Sequence, residues 1–386
     1  MDLLKCAERY EDKMIALRRE IHRFPETAGQ ETRTIALISG ELTKLGIPWR
    51  HCGTGLLARI EGTSAGKAVL LRADMDALAV EEETDCAFAS AYPGRMHACG
   101  HDGHTAMLLG AAMLLQDMRS ELKGTVLLAF QADEEIAAGA AAMVEDGALE
   151  GVDACFGMHL MAGVPAGDVW IPNGPVLSAA DQFRIRIKGR GGHASQPHTA
   201  VDAVVAASAV VSALQSIVSR EIPPQEAGVV TVGRMEAGTL FNSIAENAVL
   251  EGTVRAYDED TRSIIETAVA RISASTAAAF RAEADCCYQH FCKATVNDAA
   301  AAAQMRVSAQ KIFGKDQVKD QGRLMISEDF SEFACRVPSA FALVGIYDAS
   351  YGAVYPNHSG HFCFDEAILK KGAAFYAAAA ADYLES

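Results

Sequence analysis

The sequence predicts an α/β protein interrupted by a smaller α+β domain. Two observations carry this. In the first 170 or so residues, short apolar runs alternate with helical patterns, as strands joined by crossover helices do. After Asn173 the pattern changes to polar–apolar alternation with long helices, and from Cys292 the first pattern returns. The expected organisation is an outer domain over 1–178 and 292–386, with an inserted domain over 179–291. At roughly 150 residues per domain, a chain of 386 residues has room for both.

Taken in order, residues 5 to 23 read as one amphipathic helix, and Thr32 to Gly46 as a second, closed by its glycine. "GLLARIEG" and "AVLLRADMDAL" read as strands. "GHTAMLLGAAMLLQDM" reads as a helix starting near Gly103, with Asp102 as a capping or supporting acid just before it. "GTVLLAFQADEE" is a buried strand by its continuous apolar run. "AAAMVEDG" is a helix ending near Gly147, and "DACFGMHL" another strand. Inside the insertion, "DQFRIRIKGRGG" alternates as a strand with one solvated face does. Residues 199 to 219 follow a helical period, "GVVTVGRMEAG" and "AVLEGTVRAY" are strands, and "EDTRSIIETAVARISASTAAAF" is a long helix.

Composition narrows the function classes. Half the residues are hydrophobic and 22% are charged, so a sizeable core is expected. A net charge of -16 argues against a nucleic-acid surface, which needs clustered Lys and Arg. The N-terminus has no apolar signal region, and no run of about 18 uncharged apolar residues is present, so neither a secretory signal nor a membrane partner is expected. The ten cysteines are scattered, which suits reduced thiols and a cytoplasmic location.

Polar residues collect after the apolar strands. "LLRADMDAL" carries Asp74 and Asp76, "LLAFQADEE" carries Asp133, Glu134 and Glu135, and "CFGMHL" carries His159. "MHACGHDGHT" holds three histidines and Cys99 in ten residues. In open α/β sheets ligands bind at the carboxyl ends of the strands. Singly, each cluster has an ordinary reading: a turn, a solvated acid, a packed histidine. Together they read as a metal site, because His and Cys are the usual ligands of borderline-soft divalent ions. Cys99 and His101, two apart, face the same way on an extended segment. A hydrolytic site also needs one carboxylate left free as general base. On a regular strand Glu134 and Glu135 point to opposite faces, so one binds the ion and the other acts as base. The pattern does not say which, and Asp133 is a third candidate.

The stretches "RREIHRFPE", "LRADMDAL", "MHACGHDGHTAMLLGAA", "FQADEE", "GMHL", "GRGGHASQPH", "SEDFSEFA" and "HSGHFCFDE" run from residue 18 to 366. In that order they resemble the metal-dependent amidohydrolases and carboxypeptidases of the peptidase M20 group. The nearest branch contains hippurate hydrolases, N-acyl-amino-acid amidohydrolases and indole-acetyl-amino-acid hydrolases. The resemblance implies a zinc-peptidase-like catalytic domain, a mixed sheet flanked by helices, with an inserted dimerisation domain in a homodimer. It implies Cys99, His101, Glu135, His159 and His358 as ligands of two divalent metals (zinc, manganese, cobalt or nickel). Glu134 becomes the general base and Asp76 the carboxylate that steadies a ligand histidine. His193 becomes the residue that reaches the partner's site to stabilise an oxyanion, and Asn242 a substrate contact. His97 and His104 are left as structural. The implied substrate is a small amide, an N-acyl amino acid or, alternatively, a small free peptide.

The chain departs from the group's pattern in places. Asp133 stands where alanine is usual before the two glutamates, and "IAAGA" replaces the glycines after them. Gly360 replaces a common proline after the last ligand, which leaves His361 beside His358 as an alternative, and Ala245 replaces another proline. These departures bear on substrate preference more than on mechanism.

Overall fold

The computed structural model describes residues 2–386. The chain begins with two helices, α1 (Leu3–Glu8) and α2 (Glu11–Arg23), where one was expected over 5–23. The break at Tyr10 lets the side chains of Arg9 and Tyr10 both donate to Asp117, at 2.8 Å each. Then follow α3 (Thr32–Lys44), β1 (Trp49–Cys52), β2 (Gly55–Glu61), β3 (Ala68–Asp74), α4 (His101–Asp117), β4 (Thr125–Gln131), α5 (Gly139–Glu145), β5 (Ala154–Pro165), β6 (Val169–Trp170) and β7 (Gly174–Leu177).

The second unit contains β8 (Ala179–Lys188), β9 (Gly192–His193), α6 (Ala203–Leu214), α7 (Ser216–Arg220), β10 (Gly228–Ala237), β11 (Ser243–Ile244), β12 (Asn247–Ala256), α8 (Glu259–Ala279) and β13 (Glu283–Cys292). The chain ends with β14 (Thr295–Asn297), α9 (Ala299–Phe313), β15 (Val318–Lys319), α10 (Ser331–Ala334), β16 (Ser339–Tyr347) and α11 (Ile368–Glu385).

In the first unit, eight strands form one mixed sheet in the order β1-β2-β4-β3-β5-β16-β6-β15. Its centre is parallel, β4, β3, β5 and β16 running side by side, and these strands are buried nearly end to end. That is why their sequences are continuous apolar runs. Every residue of α4 from His101 to Leu115 is buried. The helix can lie that deep because it is built from small and apolar residues.

In the second unit, β10, β12, β8 and β13 form an antiparallel sheet, with a core shared with α6, α7 and α8. This unit runs from Leu177 to Thr295 and also takes in Arg323–Glu328, a segment expected in the outer domain. Pairing explains it: Leu177 bridges Leu324, and Ser178 N–H donates to the Ile326 carbonyl at 2.8 Å. The stretch Ala203–Arg220 has a mean hydropathy of 1.5 and the length of a membrane span, a signal the sequence reading passed over. It is folded as α6 and α7, with Ala206, Ala207, Val210, Leu214 and Ile217 in the unit's core.

Helices of the first unit pack closely at Gly110. A Cβ there would lie 2.2 Å from Met14 Sδ and 2.8 Å from Ala373 Cβ. Gly110→Val should destabilise the fold by about 1–3 kcal/mol through overpacking, read by calorimetry as a lower thermal midpoint. An unchanged midpoint would show that the α2–α4–α11 packing yields at this point.

Candidate metal centre

The strand ends deliver the polar residues by different routes. β3 ends at Asp74, and Asp76 follows in an irregular turn. β4 stops at Gln131, so Asp133, Glu134 and Glu135 sit in a turn and not on a strand. Asp133 is left-handed (φ 58°), and Ala137 (φ 51°) closes the turn by donating to the Glu134 carbonyl at 2.7 Å. The opposite-face argument for the two glutamates therefore does not apply. A turn brings both carboxylates into one group with His101. His159 lies within β5 and not at its end. α4 begins at His101, after Gly100 in the left-handed region (φ 92°). Asp102 is thus inside the first turn and caps nothing. It bonds Arg18 at 2.7 Å and His22 at 2.8 Å.

These routes converge. Donor atoms of Cys99, His101 and His159 lie within 4.8 Å of one another, as do those of Cys99, Glu135 and His358, and those of His101, Glu134 and Glu135. Cys99 Sγ is 3.3 Å from His159 Nε2. Glu135 Oε1 is 3.8 Å from His101 Nε2 and 3.6 Å from His358 Nε2. His358 is left-handed (φ 70°) and is pinned by its N–H to the Ala98 carbonyl at 2.8 Å. His361 points elsewhere: both its ring nitrogens face Glu83, at 3.0 and 3.2 Å.

The hydrogen bonds leave lone pairs where an ion would need them. His159 Nδ1 donates to the Leu160 carbonyl at 2.8 Å, which leaves Nε2 as the lone-pair nitrogen. His101 Nδ1 faces Asp76 Oδ1 at 3.3 Å, while its buried Nε2 has no hydrogen-bond partner. Glu135 Oε1 is likewise buried and unpartnered. Orphaned atoms of this kind call for a group outside the chain, and the set of one thiol, three imidazoles and carboxylates suits a borderline-soft divalent cation. Burial pushes Glu135 up to about 7, with Asp76 and Asp74 adding repulsion. Burial also holds the Cys99 thiol up. A bound cation would reverse both by favouring the anions.

His104 is excluded as a ligand, since Nδ1 meets Asp74 at 2.5 Å and Nε2 accepts from Leu160 N–H at 2.8 Å. His97 is fully buried, and burial holds it neutral, down to about 3. Two supports escaped the sequence reading. Asn357 spans Cys99, Leu160 and Ala162, with bonds of 3.2, 3.1 and 3.1 Å. Glu31 accepts Asp133 N–H at 3.0 Å and so fixes the glutamate turn. The only signals were an asparagine beside His358 and a glutamate a few residues beyond "RREIHRFPE".

His193 and Asn242 belong to the second unit. β9 pairs with β11, and Ala194 N–H donates to the Asn242 carbonyl at 3.2 Å, so the two residues share one ribbon. Ser195 N–H donates to His193 Nδ1 at 3.2 Å. In a neutral ring this puts the proton on Nε2, at the exposed edge.

Comparison with known proteins finds close relatives of the chain. The family described as peptidase family M20/M25/M40 matches residues 70–382. The N-acetyl-L-cysteine deacetylase of Bacillus subtilis (strain 168) is 38% identical over 378 residues, covering 97% of this chain and 89% of that protein. Thermostable carboxypeptidase 1 of Saccharolobus solfataricus is 36% identical over 375 residues, covering 95% and 94%. The crystal structure of a Bacillus subtilis protein described as a dinuclear metal binding peptidase from the M20 family superposes with a TM-score of 0.85 at 33% identity, covering 98% and 99%.

Asp76 also accepts Glu135 N–H through Oδ2 at 3.0 Å, so one carboxylate orients two of the donors. Asp76→Asn should weaken divalent-metal binding about 10- to 100-fold, measured by chelator competition. The thermal midpoint of the metal-free protein should stay near wild type. Unchanged metal affinity would remove Asp76 from the centre.

Proposed function

The chain belongs to peptidase family M20/M25/M40, and on that premise we propose that it hydrolyses the amide bond of N-acyl amino acids at a two-ion metal centre. The observation that carries this is the convergence of Cys99, His101, Glu135, His159 and His358 with Glu134 at their edge. The similarity to an N-acetyl-L-cysteine deacetylase supports the substrate class.

In this reading the five residues hold two divalent ions, with Cys99 as thiolate and the histidines through Nε2. The ions would supply Lewis-acid polarisation of the amide carbonyl and a lowered pKa for water. Glu134 is the base: its carboxylate takes a proton from the attacking water and passes it to the departing amine. Asp76 holds His101 Nδ1 and so keeps Nε2 directed inward. His193 Nε2–H donates to the developing oxyanion of a second copy's site in a homodimer, and Asn242, on the same ribbon, contacts the substrate there. Removing a donor of this type costs about 100- to 1,000-fold in kcat. His193→Ala should show that loss, and mixing it with a metal-site variant should restore activity if the residue works across subunits.

A second reading, cleavage of small free peptides from the carboxyl end, is favoured by the similarity to thermostable carboxypeptidase 1. A panel of N-acetyl, N-benzoyl and dipeptide substrates separates the two by kcat/KM.

Glu134→Gln should retain the wild-type metal content and lose about 10²- to 10⁴-fold in kcat on the best substrate of that panel. Wild-type turnover in this variant would overturn the assignment of the base.

A further inference from the structure

A second group of metal-type donors forms where α2 meets the loop between β3 and α4. His22 Nε2 is 3.2 Å from Glu82 Oε1, and that oxygen is 3.6 Å from Cys86 Sγ. The three donor atoms fall within 4.8 Å of one another. Thr84 Oγ1 bonds the same carboxylate oxygen and stands 3.4 Å from Cys86 Sγ. We propose that His22, Glu82 and Cys86 form an additional zinc site, with Thr84 or a water as the fourth ligand, separate from the centre at Cys99 and His101.

Three features of the cluster support it. The first is metric: zinc–ligand bonds of about 2.0–2.3 Å in tetrahedral geometry set N–O and O–S separations near 3.3 and 3.5 Å. The His22–Glu82 and Glu82–Cys86 distances already match those edges. The second is the support behind the ligands. Asp102 engages His22 Nδ1 at 2.8 Å, the carboxylate–histidine arrangement that directs Nε2 at an ion. Ser90 N–H fixes the other oxygen of Glu82 at 2.6 Å. The side chains of His22 and Glu82 are only 2% and 5% exposed, while Cys86 is half-buried and leaves a path from solvent. Glu82, Thr84 and Cys86 alternate along the loop, so an extended backbone turns all three the same way.

The third is charge. Arg18 and Arg19 are matched by Asp102 and Glu366, and Glu82 remains as a buried anion. Two arrangements neutralise it: an imidazolium at His22 bridging Asp102 and Glu82 beside a neutral thiol, or a zinc ion shared by Glu82, a Cys86 thiolate and neutral His22. Both leave no net charge, and only the second uses Cys86. Zinc is favoured over harder ions by the sulfur and nitrogen donors.

The test is zinc stoichiometry on the full-length protein. Wild type, Cys86→Ala and Cys86→Ser are loaded with Zn²⁺, desalted and analysed for metal and for thermal midpoint. The site predicts one zinc ion fewer per chain in both Cys86 variants, with the remainder retained, and no change in Cys363→Ala. It also predicts that Zn²⁺ shields Cys86 from iodoacetamide in peptide mapping and that a chelator removes the shield. Equal zinc content in wild type and both folded Cys86 variants, or alkylation of Cys86 at the same rate with and without Zn²⁺, overturns it and leaves the imidazolium bridge. Failure of the two-ion reading at Cys99 would lower the count equally in all proteins, and the wild-type difference would remain.

Discussion

The geometry of the centre hangs on one buried carboxylate. Asp74, the last residue of β3, is completely buried. It meets Arg72 Nη1 at 2.8 Å and His104 Nδ1 at 2.5 Å, and it lies 3.8 Å from His101 Nε2. Burial alone would raise its pKa, but His101, His104 and Arg72 outweigh that and hold it well below the usual carboxylate range. Arg72 in turn bonds Gln131 at the end of β4 and Asp329. His104 reaches β5 through Leu160. Three parallel strands and α4 are thereby locked in register around a single anion. A fully buried charge is tolerated only when paired and hydrogen-bonded on this scale.

That lock explains why the donors can be left unsatisfied above it. Desolvation disfavours charged carboxylates and thiolates, and Glu135 and Cys99 both show it in their raised pKa values. Without a rigid floor, such groups would relax toward water or toward each other. Here Asp76 restrains His101 and Glu135, Asn357 restrains Cys99, and the Ala98 carbonyl restrains His358. The site is held in a conformation whose electrostatics a divalent cation completes.

The sequence made the core strands legible, because a strand buried on both faces must be a continuous apolar run. The clustering of Asp74 and Glu134 was also legible, because parallel strands place their carboxyl ends together, whereas His159 comes from the middle of β5. His358 was not legible from periodicity or spacing, since its place depends on a tertiary bond to Ala98 and on Asn357. Only the resemblance pointed to it. The start of α4 was misplaced because a left-handed glycine at 100, not a side-chain cap, opens the helix. The same conformational detail defeated the reading of the two glutamates. Periodicity assumes a strand continues, and left-handed Asp133 stops it.

The departures from the group's pattern become physical once the loops are seen together. Gly360 has no room for any side chain: a Cβ there would lie 2.4 Å from the Glu81 carbonyl. Its own carbonyl accepts Glu83 N–H at 2.8 Å. The loop carrying Glu82 and Cys86 is therefore packed backbone to backbone against the segment carrying His358. Arg18 strengthens the same junction, lying 4.6 Å from the Phe88 ring and 4.5 Å from the Phe364 ring while its guanidinium reaches Asp102 and Glu366. The Glu82 loop thus touches the His358 segment through Gly360, and His22 touches the first turn of α4 through Asp102. The absence of proline at 360 is not a loosening of the last-ligand turn. It is the condition for a tighter contact, in which the two loops meet backbone to backbone.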